Sequence, residues 1–172
     1  TRGEPSTARL VEIYAEIRQG QCFNKPPAVY GAFPTDPYSH TPKGQGAKQP
    51  GMTGMVKEEV LARQAELGVE ISAGRLAFNF LLLDRAEYLA GGGEFPYLRV
   101  DGQADCLSLP ARSLAYTLCQ VPVVLKEGQT AGIAVHRADG GVETIAGHTL
   151  DAENSRRIFR RDGSIHHLVV EV

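Results

Sequence analysis

No stretch of this 172-residue chain comes near the ~20 consecutive apolar residues that a membrane span requires. Nor does it hold a block of one charge. Eighteen Lys and Arg against twenty Asp and Glu leave a formal net charge of −2, so no global field draws it to nucleic acid. The opening string TRGEPSTARL lacks the charged-then-apolar pattern of a signal peptide; either there is no leader or it has been removed. Cysteines are few and odd in number: Cys22, Cys106 and Cys119 match no metal-binding spacing. They read as buried thiols in a reducing compartment, which favours the cytoplasm; one disulfide with a leftover thiol is the alternative. No GxxxxGK[ST] loop and no GxSxG turn occur, and Ser113 and Ser155 have no His and acid near them in sequence. That removes support for a Walker-type nucleotide site and for serine hydrolase chemistry. Tryptophan is absent altogether.

What is present changes character near residue 72. Before it, apolar spacing is helical. Leu10, Ile13, Tyr14 and Ile17 share one helical face, with Glu4, Pro5 and Ser6 as start signals and Gly20 as a stop. A second helix is predicted from about Met55 to Leu67, terminated by Gly68, with Glu59 and Arg63 as an i, i+4 pair. Between them lies a span without helical or strand period. It carries Phe23, Val29, Tyr30, Phe33 and Tyr38, too much apolar surface for disorder, and reads as an ordered, packed loop.

After residue 72 the reading is strands: RLAFNFLLL (75–83), a hairpin around Asp101-Gly102 of the kind type I′ turns prefer, and a long strand through SLAYTLCQVPVVL. A hairpin turning at Asp139-Gly140, a short helix or turn at 151–159, and a last strand in GSIHHLVVEV follow. The expected fold is mainly β. Residues 73–172 form an antiparallel β-sandwich of about seven strands, and residues 1–72 hold two helices and a long Pro/Gly-rich loop. Two helices make a poor core, so they are expected to belong to a larger helical body.

The loop before the second helix draws most interest. Gly51-Met52-Thr53-Gly54 runs into the helix start, where free N–H groups and the helix dipole favour an anion. Thr53 can cap the helix or offer its hydroxyl to a bound oxyanion. Lys43, Lys48, Lys57 and His40 lie close in sequence, and four lysines face a single acid, Asp36, between Lys25 and Lys57. The competing reading is plain: Glu58 and Glu59 in the first turn satisfy the dipole, and Gly and Pro are loop punctuation.

The string QPGMTGMVKEEVLARQAELGVEISAGRLAFNFLLL resembles the end of the catalytic barrel in glycoside phosphorylases of the cellobiose and chitobiose phosphorylase type. The matching pieces are His40, the Thr53-Gly54 pair, Glu66-Leu67-Gly68-Val69, and Gly74-Arg75-Leu76-Ala77-Phe78. YGAFPTDPYSHTP is also similar to bacterial proteins of the glycosidase-like (α/α)₆ class. The resemblance implies that residues 1–72 end an (α/α)₆ barrel, and that His40, Thr53 and Gly54 contact phosphate or sugar, with Lys48 or Lys57 in reach. Inorganic phosphate would then be a substrate, and no other cofactor is implied. Met52 and Met55 stand where the family carries an aromatic and usually a Thr, and the family's general acid matches no residue here. With no Trp, Tyr30, Phe33 and Tyr38 are the aromatics left for sugar stacking.

Elsewhere the bland readings lead. Glu58 and Glu59 are candidate catalytic carboxylates, but adjacent helical residues point about 100° apart and cannot flank one scissile bond. His166 and His167, in a strand, are expected on opposite faces, one buried and one wet. His136 and His148 could meet across a hairpin; no metal site is expected. Asp151, Glu153 and Asp162 read as capping and turn residues. The chain is expected to be the carboxy-terminal portion of a carbohydrate-active enzyme, inactive when isolated, with no nucleic-acid or membrane partner. The alternatives are a non-catalytic carbohydrate-binding accessory module, or an interaction domain.

Overall fold

The structure, a computed structural model, describes residues 7–21, 35–36, 49–50 and 53–172, with the backbone alone at 7, 17–21, 35–36, 49–50 and 53–59. Among these residues the chain is mainly β with three α-helices, and its sheets hold mixed and antiparallel strands, none closed. It divides into two compact units, Thr1–Leu67 and Gly68–Val172. No helix of the described residues is long and apolar enough to cross a membrane.

The first unit contains helix α1 (Thr7–Gln21), the short strands β1 (Thr35–Asp36) and β2 (Gln49–Pro50), and helix α2 (Thr53–Glu66). α1 continues through Gly20, the expected stop. Tyr14 donates its hydroxyl to Glu66 Oε1 at 2.6 Å, and Arg63 pairs with Glu66 at 3.0 Å. β1 and β2 pair antiparallel, Thr35 with Pro50 and Asp36 with Gln49. α2 begins at Thr53, two residues earlier than the sequence predicts. Its first turn therefore holds no acid, and Glu58 and Glu59 fall in the second turn. The dipole at that helix start is not answered by them in the way the sequence suggests.

α2 ends where Gly68 adopts φ +78°, a left-handed conformation that Gly enters without steric cost. A Cβ there would also lie 2.7 Å from the Asn79 carbonyl oxygen, so the position is doubly restricted to glycine. The chain passes at once into a hairpin of β3 (Val69–Ser72) and β4 (Arg75–Phe78), turning at Ala73-Gly74. The predicted strand over 75–83 thus stops at Phe78. Asn79 breaks it, donating its amide to Glu70 and accepting from Leu81 N. A 3₁₀ turn (Arg85–Glu87) leads to the ribbon of β5 (Gly93–Leu98) and β6 (Ala104–Leu109).

The main sheet has five strands: β7 (Ser113–Leu118), β8 (Val121–Lys126), β9 (Gly132–Arg137), β10 (Val142–Ala146) and β11 (Ile165–Glu171). Helix α3 (Ala152–Arg160) precedes β11. The spatial order is β10-β9-β11-β8-β7, with β11 parallel to β8 and antiparallel to β9. The expectation of a purely antiparallel assembly is therefore corrected. A helix, rather than a tight turn, returns the chain to the sheet before β11, and such a connection can bring a strand in parallel to an earlier one. Among the described residues, β4 to β11 make eight strands after residue 72, where about seven are expected from spacing. The extra one arises because 113–125 is a hairpin, not one strand, turning at Cys119-Gln120.

One face of the sheet buries Val121, Val123, Leu125, Ile133, Val135, Leu168 and Val170 against Leu76 and Phe78 of β4 and Ile158 of α3. Each such side chain, fully buried, contributes about 1.5–3 kcal/mol. α3 is placed by its caps. Asp151 accepts from Asn154 N at 2.8 Å, and Arg161 closes the other end in the left-handed region. Ser155, fully buried, accepts from Leu76 N at 3.0 Å and donates to Asp151 O at 2.7 Å. It is a structural link between helix and strand.

Candidate functional site

Of the residues the sequence singles out, His40 and Lys48 lie outside the described residues, as do Tyr30, Phe33 and Tyr38. Thr53 and Gly54 open α2, and Lys57, Glu58 and Glu59 follow in it; their side chains also lie outside the described residues. The β1–β2 ladder sets the backbone of Gln49–Pro50 beside Thr35–Asp36. Cys22 is outside the described residues. Cys106 is exposed and Cys119 half-buried, both free, so Cys106 is not the buried thiol expected.

A different cluster forms in the second unit. β11 carries a bulge between Ile165 and His167: Ile165 pairs with Arg137, and His167 with His136. The inserted residue, His166, breaks the alternation. Ile165 and Leu168 both face the core, so His166 and His167 share the opposite face. This corrects the expectation that their rings point apart. Their Nδ1 atoms are 2.8 Å apart, close enough that one ring donates and the other accepts. His167 stacks on His136 across the strands, centroids 4.0 Å apart and planes within 14°. Burial, then the neighbouring His136 and His166, pushes His167 down to about 4. Burial and His166 lower His136 as well. His148, by contrast, is hydrogen-bonded to the Glu171 carbonyl at 2.7 Å and meets the edge of Phe80, not His136.

The β5–β6 ribbon brings two more groups to His166. Tyr97 donates its hydroxyl to Asp105 Oδ2 at 3.0 Å, and both oxygens lie 3.4 Å from His166 Nε2. The Cys106 backbone N–H, the Tyr97 hydroxyl and His166 hold the Asp105 carboxyl below its usual range. Burial, then the bond to Asp105, raises the Tyr97 phenol to about 12, so it stays a donor. Tyr97, Asp105 and His166 thus form a carboxylate–phenol–imidazole set that can orient an imidazole and bind a donor or acceptor beside it.

This set borders a cavity of about 180 Å³, whose polar lining comes from Arg99, Asp101, Gln120, Asp162 and His166, with Tyr97 and Ile165 among its apolar wall. The Asp101-Gly102 turn supplies one rim. There only Gly102 is left-handed, with its N–H on the Arg99 carbonyl at 2.9 Å and the Arg99 N–H on Gln103 O at 2.9 Å. That is a type I turn closed by a glycine bulge, not the predicted I′. Two two-residue turns have both central φ values positive: Ala73-Gly74, at +49° and +73°, and Cys119-Gln120, at +52° and +64°, where neither residue is glycine. Such conformations cost of order 1 kcal/mol or more and concentrate at functional sites. Gln120 reaches the Arg99 carbonyl with Nε2 at 3.3 Å, and its Oε1 is buried with no protein partner.

A second, more open recess lies between Arg137, Asp139, Glu143, Arg157 and Ser164. Its charges are matched locally, Arg137 with Glu143 at 2.6 Å and Arg157 with Glu153 at 3.1 Å. Among the described residues no group of three or more His, Cys, Asp or Glu is placed to hold a metal ion.

Sequence reasoning marks His166-His167 and Asp101-Gly102 but assigns them no site. Tyr97, Asp105 and Gln120 carry no local signal and Asp162 reads only as a capping or turn residue, because only the fold brings them together. No protein-family model matches this chain, and no curated protein matches it.

Proposed function

We propose that the chain is the carboxy-terminal portion of a carbohydrate-active enzyme of the glycoside hydrolase or phosphorylase type. In this reading the segment ending in α2 contributes a loop that contacts sugar or phosphate through His40, Thr53 and Gly54, with Lys48 or Lys57 in reach. One observation supports it. α2 starts at the Thr53-Gly54 pair, with no acid in its first turn, and hands over at Gly68 directly to a β unit. That is the order of elements the sequence resemblance leads one to expect. A helix whose own first turn holds no acid leaves its N–H groups and partial positive charge unanswered from within that turn.

The test uses the complete polypeptide that contains this chain. Cellobiose- and chitobiose-type disaccharides are assayed with and without inorganic phosphate. Thr53→Val keeps the side chain's size but removes the hydroxyl. It is expected to weaken phosphate or sugar binding by ~1–3 kcal/mol while stability changes much less. No turnover of any disaccharide by either route, or unaltered binding in the variant, overturns the reading.

A second reading, a non-catalytic carbohydrate-binding accessory module, is favoured by one feature: the β unit has a cavity of its own, lined by both polar and apolar groups.

A further inference from the structure

We infer that the cavity bounded by Tyr97, Arg99, Asp101, Gln120, Asp162 and His166 is a binding site for one neutral, hydroxyl-rich ring, a single monosaccharide unit. The choice of a sugar among polyols rests on the carbohydrate reading; the demand for a neutral, donor-bearing ligand rests on the cavity alone.

Charge decides against an anion. The lining holds one arginine and two aspartates. Arg99 is already paired with Asp101, Nη2 to Oδ2 at 3.2 Å. The Asp162 carboxyl accepts from both the hydroxyl and the backbone N–H of Ser164, at 2.6 and 2.9 Å, and these bonds favour its ionised form. A phosphate or carboxylate entering here would meet net negative charge. The unfilled capacity is for donors: the lone pairs on the lining carboxylates Asp101 and Asp162.

Size and wall agree. At about 180 Å³ the cavity is below the ~300–1,000 Å³ of sites for drug-sized ligands, so it suits one ring and not a chain. Ile165 and the little of Tyr97 that stays exposed give the cavity an apolar side. His166, fixed from behind by Tyr97 and Asp105, adds an imidazole edge at the boundary. The left-handed Cys119-Gln120 turn brings Gln120 into the same lining.

The 172-residue chain is titrated with glucose and with N-acetylglucosamine while the His166 imidazole and Gln120 side-chain amide signals are followed by NMR. Inorganic phosphate and methylammonium serve as counter-probes. At least one neutral sugar is expected to shift both signals saturably, and neither ion to do so. Gln120→Gly relieves the turn and removes the amide. It is expected to unfold at higher denaturant than the parent and to bind the sugar roughly tenfold or more weakly. Asp162→Asn is expected to weaken binding with the fold retained. No saturable shift with either sugar, a stronger response to phosphate or methylammonium, or unchanged sugar affinity in both variants overturns the inference. Sugar binding here without disaccharide turnover by the complete polypeptide sinks only the enzyme reading. Turnover without binding here sinks only this site.

Discussion

At His167 the stack on His136 and the contact with His166 make protonation unfavourable, and the consequence is a pH dependence of definite sign. The folded-state value, about 4, is below the ordinary 6.5 of the unfolded chain. The unfolded state therefore binds the proton first as pH falls. The stabilising contribution is complete above 6.5 and is lost progressively towards 4, with His136 adding in the same direction. Asp105, Asp151 and Asp162, all lowered, act in a separate window, below the usual carboxylate values. Urea unfolding from pH 6.5 down to about 4 is expected to show declining stability, and His167→Phe, which keeps a ring against His136, is expected to flatten that decline. A parent profile already flat over this range would mean that the rings charge freely. None of this was legible in the residues themselves. Strict alternation puts His166 and His167 on opposite faces, and only the one-residue bulge against Arg137 and His136 turns both the same way.

Among the elements, α3 illustrates how a short, polar helix is held by a few buried groups. Its helix-or-turn character was readable because Asp151, three residues before Asn154, is a capping residue by type. Its tie to β4 was not, since Ser155 looks like any surface serine until Leu76 N is found on its hydroxyl. Ser155→Ala leaves the Leu76 N–H without that partner at a fully buried position. A loss of ~1–3 kcal/mol in unfolding free energy is expected, and a change within a few tenths would show that the strand edge is satisfied some other way. The same contrast runs through the strands. Asp101-Gly102 and Asp139-Gly140 announced their hairpins. Cys119-Gln120 did not, because a left-handed turn without Gly, Asn or Asp has no sequence signature, and residues 113–125 therefore read as one strand.

For the whole molecule, the pattern read from the sequence was helical spacing before residue 72 and strands after it, whereas the units divide at Leu67 and Gly68, so that β3 goes with the strands. The illegible part was the order of the main sheet, since pairing between β8 and β11 spans β9, β10 and α3, and local pattern carries no information at that range. β11 supplies hydrogen bonds to both neighbours and buries Leu168 and Val170 completely. Removal of residues 165–172 is expected to abolish cooperative unfolding of the second unit instead of shortening it by one strand; a sharp melting transition in that truncation would contradict the central role of β11. During synthesis the two hairpins β7–β8 and β9–β10 emerge first, each with an inner edge that has nothing to pair with. Those edges stay open until Glu171 has left the ribosome, so this unit closes only at the end of its own translation, and an interrupted chain exposes two strand edges ready to pair with other molecules.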